Sequence, residues 1–336
     1  MLLREDLRKC IAFIGTPGPK ENGGITCCAT GFFIGYGGSR YLVTAQHVAV
    51  GLGDDPYLIR LNKTDGTADN ITVDPLTDNV RWFVNEADPD VDLAVMPFNY
   101  ALREAGYECL FLNGPDFIRE MNPQISPPGI GDFCYTLGLF QLVAGKKQNL
   151  PVVHRGSLAM IANEERIPVW DWLAPPGSGK VRQVQCHLVE TQSLQGLSGA
   201  PVFGRASFDI EGFPVSGSEE KMTIRTAELG VSLLGIWQGS WDAPPGSILG
   251  VQEHGSFRVP VGMGVVVPTK KLIELLETEP VVNQREDHKR KFANAATLDS
   301  AFPEKSVPPA IGANPTHRED FMRLVGAAAR KPPQEG

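Results

Sequence analysis

Gly196-Leu197-Ser198-Gly199-Ala200-Pro201-Val202-Phe203 sets a serine between glycines and follows it with a proline and a short apolar run. Glycine permits sharp backbone turns and close approach of a second chain segment. Proline fixes the exit angle into a run that reads as a buried strand. A serine held this way stands on a tight loop at the mouth of a packed scaffold, where a nucleophile is useful. Taken alone the pattern also fits an ordinary hairpin turn. Two earlier stretches weigh against that. Tyr41-Leu42-Val43-Thr44-Ala45-Gln46-His47-Val48 runs an apolar strand into a small-residue turn that presents a histidine. Asp90-Val91-Asp92-Leu93-Ala94-Val95-Met96 puts an acid at the head of another apolar strand.

A serine hydroxyl is a weak nucleophile at neutral pH. It needs a base to take its proton, and the base needs an orienting acid. The order His47, Asp92, Ser198 is that of a chymotrypsin-type triad. Asp90 is the rival acid, because loop acids can exchange in a misread register; Asp92 is preferred because it abuts the Leu-Ala-Val strand. His47 would accept the Ser198 proton, and Asp92 would orient the imidazole. The N–H groups of Gly196 and Ser198 would form an oxyanion hole.

Four motifs, Thr44-Ala45-x-His47, Asp92-Leu93-Ala94-Val95, Gly196-x-Ser198-Gly199-x-Pro201 and Gly262-x-Gly264-Val265-Val266-Val267-Pro268, occur in one order. In these the chain resembles the trypsin-like serine peptidases, nearest to the bacterial HtrA-type branch, over residues 10–278. The resemblance implies an all-β protein of two six-stranded antiparallel barrels with the triad in the cleft between them. It implies a serine endopeptidase acting through an acyl-enzyme, with restricted substrates and regulation by a partner. It places the walls of a primary pocket at Trp237-Gln238-Gly239 and Gly262-Met263-Gly264, with the floor near Gln192 to Gln195. Gln192 at that floor would favour an uncharged side chain. Two residues depart from the family pattern. Leu197 stands where zymogen-activated relatives carry an aspartate, so that ion-pair route of activation is not expected. Ala200 replaces a glycine and adds one methyl. The competing reading is a catalytically silent scaffold of the same fold that binds peptides or partner proteins.

Composition bounds the rest. The chain has 336 residues, 42% hydrophobic and 21% charged, the range of ordinary globular domains. With 36 glycines and 27 prolines it suits many short strands joined by turns. A net charge of −8 argues against a nucleic-acid surface. The six cysteines at 10, 27, 28, 109, 134 and 186 form no C-x-x-C pair and lie mostly in apolar runs. No His-Glu-x-x-His or comparable ligand spacing occurs, so no metal or cofactor is expected. With no signal-like N-terminus and no long apolar segment, a cytoplasmic location is expected and no membrane contact.

Along the chain, 1–9 reads as an N-terminal extension with a short helix, and 10–99 as the first barrel with a hairpin turn at Tyr36-Gly37-Gly38-Ser39. Residues 100–128 read as a connection and 129–278 as the second barrel. Within that barrel Ser207–Glu220 and Ser240–Gly255 are expected to be exposed insertions, and Thr269–Leu276 a closing helix capped by Thr269. Residues 279–315 read as a polar linker. A tail helix follows at 316–331, with Phe321, Leu324 and Val325 on one face, a candidate site for docking a protein partner or the chain's own domain.

Overall fold

The computed structural model describes residues 4–78, 80–98, 100–171, 174, 180–192, 194–214, 221–227, 230–243 and 259–295. The chain divides into Met1–Leu298 and Asp299–Gly336. The second unit lies outside the described residues, and with it the tail motif Phe321, Leu324 and Val325. So does most of the expected insertion at 240–255.

The first half is one sheet. Its strands are β1 (Ile11–Pro17), β2 (Ile25–Tyr36), β3 (Ser39–Thr44), β4 (Tyr57–Asn62), β5 (Ala68–Val73), β6 (Phe83–Val84), β7 (Ala94–Pro97) and β8 (Leu112–Asn113). Their order is β5-β4-β1-β2-β3-β7-β6, with β8 parallel to β2. Among the described residues this pairing does not close, so of the two expected barrels one is seen closed. Strand β6 is only two residues long, and no pairing between it and β5 completes the circle. The β2–β3 turn is as expected. Gly37 and Gly38 both take positive φ, 58° and 81°, the backbone of a two-residue hairpin loop that matches strand twist.

The second half closes. Strands β9 (Phe133–Gly138), β10 (Val152–Met160), β13 (His187–Glu190), β14 (Pro201–Arg205), β17 (Ser232–Ala243) and β18 (Val259–Pro268) form a barrel in the order β10-β13-β18-β17-β14-β9. Closure leaves no strand edge exposed. Two hairpins stand outside it: β11 (Ile167–Trp170) with β12 (Val181–Val184), and β15 (Ser207–Pro214) with β16 (Lys221–Ala227). The second lies at the insertion expected from Ser207 and forms its own two-stranded sheet. Its polar and glycine-rich composition concealed a strand pair.

Helices are few. α1 (Gln46–Leu52) carries His47, α2 (Gly114–Phe117) is a single turn, α3 (Thr269–Leu276) closes the barrel and α4 (Glu279–Ala295) follows it. The N-terminal segment Glu5–Cys10 is a 3-10 helix. α3 lies where expected, but Pro268 occupies its N-cap and Thr269 instead donates its hydroxyl to Leu233 O at 2.8 Å. α4 corrects the linker reading for residues 279–295. Its anchors Val281 and Arg285, four apart on one face, are buried, too sparse a signal to stand out in a polar sequence. No helix among the described residues is long and apolar enough to cross a membrane. Cys10, Cys27, Cys28, Cys109, Cys134 and Cys186 are free thiols.

One apolar cluster joins the halves: Phe13, Phe32, Ile34 and Val43 from the sheet meet Tyr135, Leu137, Phe203 and Ile236 from the barrel. Val91 and Leu93, on either side of Asp92, belong to this shared core.

Candidate active site

His47 lies in the first turn of α1, directly after β3, a helix rather than the turn expected. Early N–H groups of a helix lack intrahelical acceptors. Asp92 supplies one: its Oδ1 accepts the His47 main-chain N–H at 2.8 Å. Its Oδ2 meets His47 Nδ1 at 2.7 Å. One carboxylate therefore fixes both the backbone and the ring of the histidine. Asp92 is 4% exposed, and the His47 side chain 19%. Asp90 points elsewhere and pairs with Arg166 at 3.2 Å, so of the two candidate acids Asp92 is the one brought to His47.

The loop that delivers Asp92 is pinned from the other half. Arg166 bonds Asp88 and Asp90, Lys271 of α3 reaches Asp88 at 3.3 Å, and Arg182 donates to Pro89 O. Burial opposes ionisation of Asp88, yet Arg166 and Lys271 outweigh it and hold its carboxyl below the ordinary 3.8. None of these three cations was singled out from the sequence, since each sits in a polar run with no motif.

Ser198 is partly buried, between Gly196 (φ 100°) and Gly199 (φ 84°). A β-carbon on Gly199 would collide with Thr30 O and the Thr44 hydroxyl. The serine loop is thus wedged against β2 and against Thr44, three residues before His47. Each carbonyl of the loop has a donor. Gln195 O accepts from Gln141 N–H (3.0 Å), Gly196 O from the Thr30 hydroxyl (2.7 Å), Leu197 O from Ala200 N–H (2.8 Å) and Ser198 O from Thr30 N–H (3.0 Å). Among the described residues no peptide is cis, and a trans peptide aims its N–H away from its carbonyl. The Gly196 and Ser198 N–H groups therefore point away from Gln141 and Ala200. Among the described residues, the N–H groups of Leu197, Gly199 and Ala200 have acceptors, and those of Gly196 and Ser198 have none.

Leu197 is fully buried in the barrel core with Leu158, Val202 and Trp237, which accounts for an apolar residue there. Ala200 packs in the same cluster, so its extra methyl fills space. The expected pocket segments are placed less simply. Gln192 is exposed, not sunk at a floor. Gln238 and Gly239 are buried, while Gly262 and Met263 are half-buried. Trp237 is 1% exposed, and its ring lies across Gly264, where any β-carbon would strike it. The indole is packed into the barrel core with Leu158, Val202 and Val266. A tryptophan in an apolar strand gave no sign of this.

No protein-family model matches the chain, and no curated protein matches it. Among solved structures it is similar to one titled "Crystal structure of Deg5", at TM-score 0.41 and 14% identity, over 80% of this chain and 88% of that one. It is also similar to "Atomic resolution structure of HBP", at TM-score 0.41 and 11% identity, over 84% and 95%. Likenesses this loose do not bear on the chemistry, which is read from the chain's own residues.

Proposed function

We propose that this chain is a serine endopeptidase with a trypsin-like arrangement of His47, Asp92 and Ser198. The observation that carries it is the grip of Asp92 on His47, at both Nδ1 and the main-chain N–H, beside a serine loop wedged against Thr44. With Nδ1 committed to Asp92, Nε2 is the ring nitrogen that takes the Ser198 proton. Ser198 Oγ bonds to the substrate carbonyl carbon as that proton moves to His47. The Gly196 and Ser198 N–H groups receive the oxyanion. His47 then returns the proton to the departing amine, the C–N bond breaks, and an acyl-enzyme remains for water to hydrolyse by the same path. Gln192, the residue at the expected primary pocket, favours an uncharged side chain. Restricted substrates and control by a partner belong to the same proposal.

The test is labelling of the full chain with a fluorophosphonate probe. The wild type labels, and Ser198→Ala and His47→Ala do not. A folded wild type that does not label would overturn the peptidase reading in favour of a silent, peptide-binding scaffold.

A further inference from the structure

Thr30 belongs to none of the sequence motifs. It sits within β2, fully buried, and meets the active-site loops through every polar atom it has. Its N–H donates to Ser198 O at 3.0 Å. Its carbonyl accepts the Thr44 hydroxyl at 2.8 Å. Its own hydroxyl accepts from Leu139 N–H at 2.9 Å and donates to Gly196 O at 2.7 Å. A hydroxyl has one proton. Leu139 can only donate, so that proton is committed to Gly196.

We infer that Thr30 is a positioning residue: by holding the Gly196–Leu197 and Ser198–Gly199 peptides, which lie on either side of the peptide that carries the Ser198 N–H, it keeps the oxyanion-binding N–H groups of the serine loop in their working orientation. This rests on Ser198 being the nucleophile. Gly196 has no side chain and a positive φ, so the peptides on either side of it can rotate at little steric cost. Such a residue needs external ties to hold an N–H in one direction. Gln141 ties the peptide before it, and Thr30 ties the peptide after it. Both ties lead back to the first half. Thr30 is part of that sheet, and Gln141 reaches it through a side-chain bond from Nε2 to Cys27 O at 3.0 Å. The oxyanion donors of the barrel are thereby set by the sheet.

Thr30→Val keeps the shape and removes the hydroxyl; Thr30→Ser keeps the hydroxyl and removes the methyl. Both are compared with wild type in the full chain, at a temperature where melts show all three folded. Fluorophosphonate labelling of Thr30→Val is expected to slow about tenfold to a hundredfold, while Thr30→Ser stays within about threefold of wild type. Amide hydrogen exchange over 194–200 is expected to quicken in Thr30→Val and not in Thr30→Ser. Wild-type labelling by Thr30→Val, or equal slowing in both variants, overturns the inference. If the wild type itself does not label, the peptidase reading falls separately. Loop exchange then decides: quickening only in Thr30→Val sustains the tie, and unchanged exchange overturns it.

Discussion

At the scale of single residues, charge placement decides the outcome. Asp92 accepts two hydrogen bonds from His47, and only a carboxylate can accept at both oxygens. Asp92→Asn must turn an NH2 toward one of those donors, or force the imidazole into the tautomer with its proton on Nε2. In the second case Nε2 carries the proton and cannot act as a base; in the first the main-chain tie that fixes the histidine is lost. The expected result is a fall in turnover of about a thousandfold or more with a folded protein. Peptide hydrolysis measured beside a melting curve checks it, and a loss under about tenfold would remove Asp92 from the role. His187 shows the opposite case, a histidine with a structural task. It lies on β13, its Nδ1 accepts the Ala162 N–H at 3.0 Å, and burial lowers its pKa from 6.5 to about 4. The folded ring stays neutral where the unfolded chain would already take a proton. Its contribution to stability is complete above 6.5, declines as pH falls toward about 4, and declines no further below that. His187→Asn keeps an acceptor and removes the titration. Denaturant unfolding at neutral pH and at pH of about 5 is expected to show a loss smaller by about 1–2 kcal/mol in this variant. Equal losses in both proteins would put the acid sensitivity elsewhere.

At the scale of elements, the site is assembled by ties that cross between sheet and barrel. Arg60 of β4, 2% exposed, donates to Gly145 O at 2.9 Å and Lys146 O at 2.6 Å. Asn62 and Asn149 exchange hydrogen bonds beside it. These bonds hold the loop after β9, which carries Leu139 and Gln141 and so supports the serine loop. Arg60→Met retains much of the side-chain volume but strips two carbonyls of a charged donor. A loss of about 2–3 kcal/mol in unfolding free energy is expected, with quicker hydrogen exchange over 141–149. Unchanged exchange there would show that the loop holds itself. These ties mark the limit of what the sequence discloses. The strands that deliver His47, Asp92 and Ser198 were legible because each is an apolar run with a distinctive polar residue close to one end. Thr30, Arg60, Arg166 and Lys271 were not, because their partners lie far away in the chain and many are main-chain carbonyls. A carbonyl leaves no mark on composition or spacing. The hairpin of β15 and β16 was missed as well: its residues pair only with each other, outside the barrel, and its sequence is polar and glycine-rich.

At the scale of the whole molecule, the fold does not stop where the peptidase resemblance stops. The sequence suggested an end at 278, because the residues beyond are polar and lack a wide apolar stripe. In the structure α4 lies back on the first half through two side chains. Val281 is fully buried. Arg285, 6% exposed, donates to Leu276 O at 3.2 Å and pairs with Glu277 at 3.4 Å. Its guanidinium stands 5.4 Å from the centre of the Tyr36 ring, beside the Gly37 turn. Arg285 thus satisfies a carbonyl at the end of α3 and covers the β2–β3 hairpin, whose second strand leads to His47. Burying a valine and satisfying that carbonyl contribute on the order of 2–4 kcal/mol together. A chain ending at 278 is therefore expected to unfold at lower denaturant than one ending at 295, by that amount. Arg285→Leu in the longer chain is expected to lose part of it, because the leucine still packs on Tyr36 but leaves Leu276 O unpaired. Equal unfolding midpoints for the two truncations would show that α4 only rests on the domain, and would restore 278 as the boundary of the folded unit.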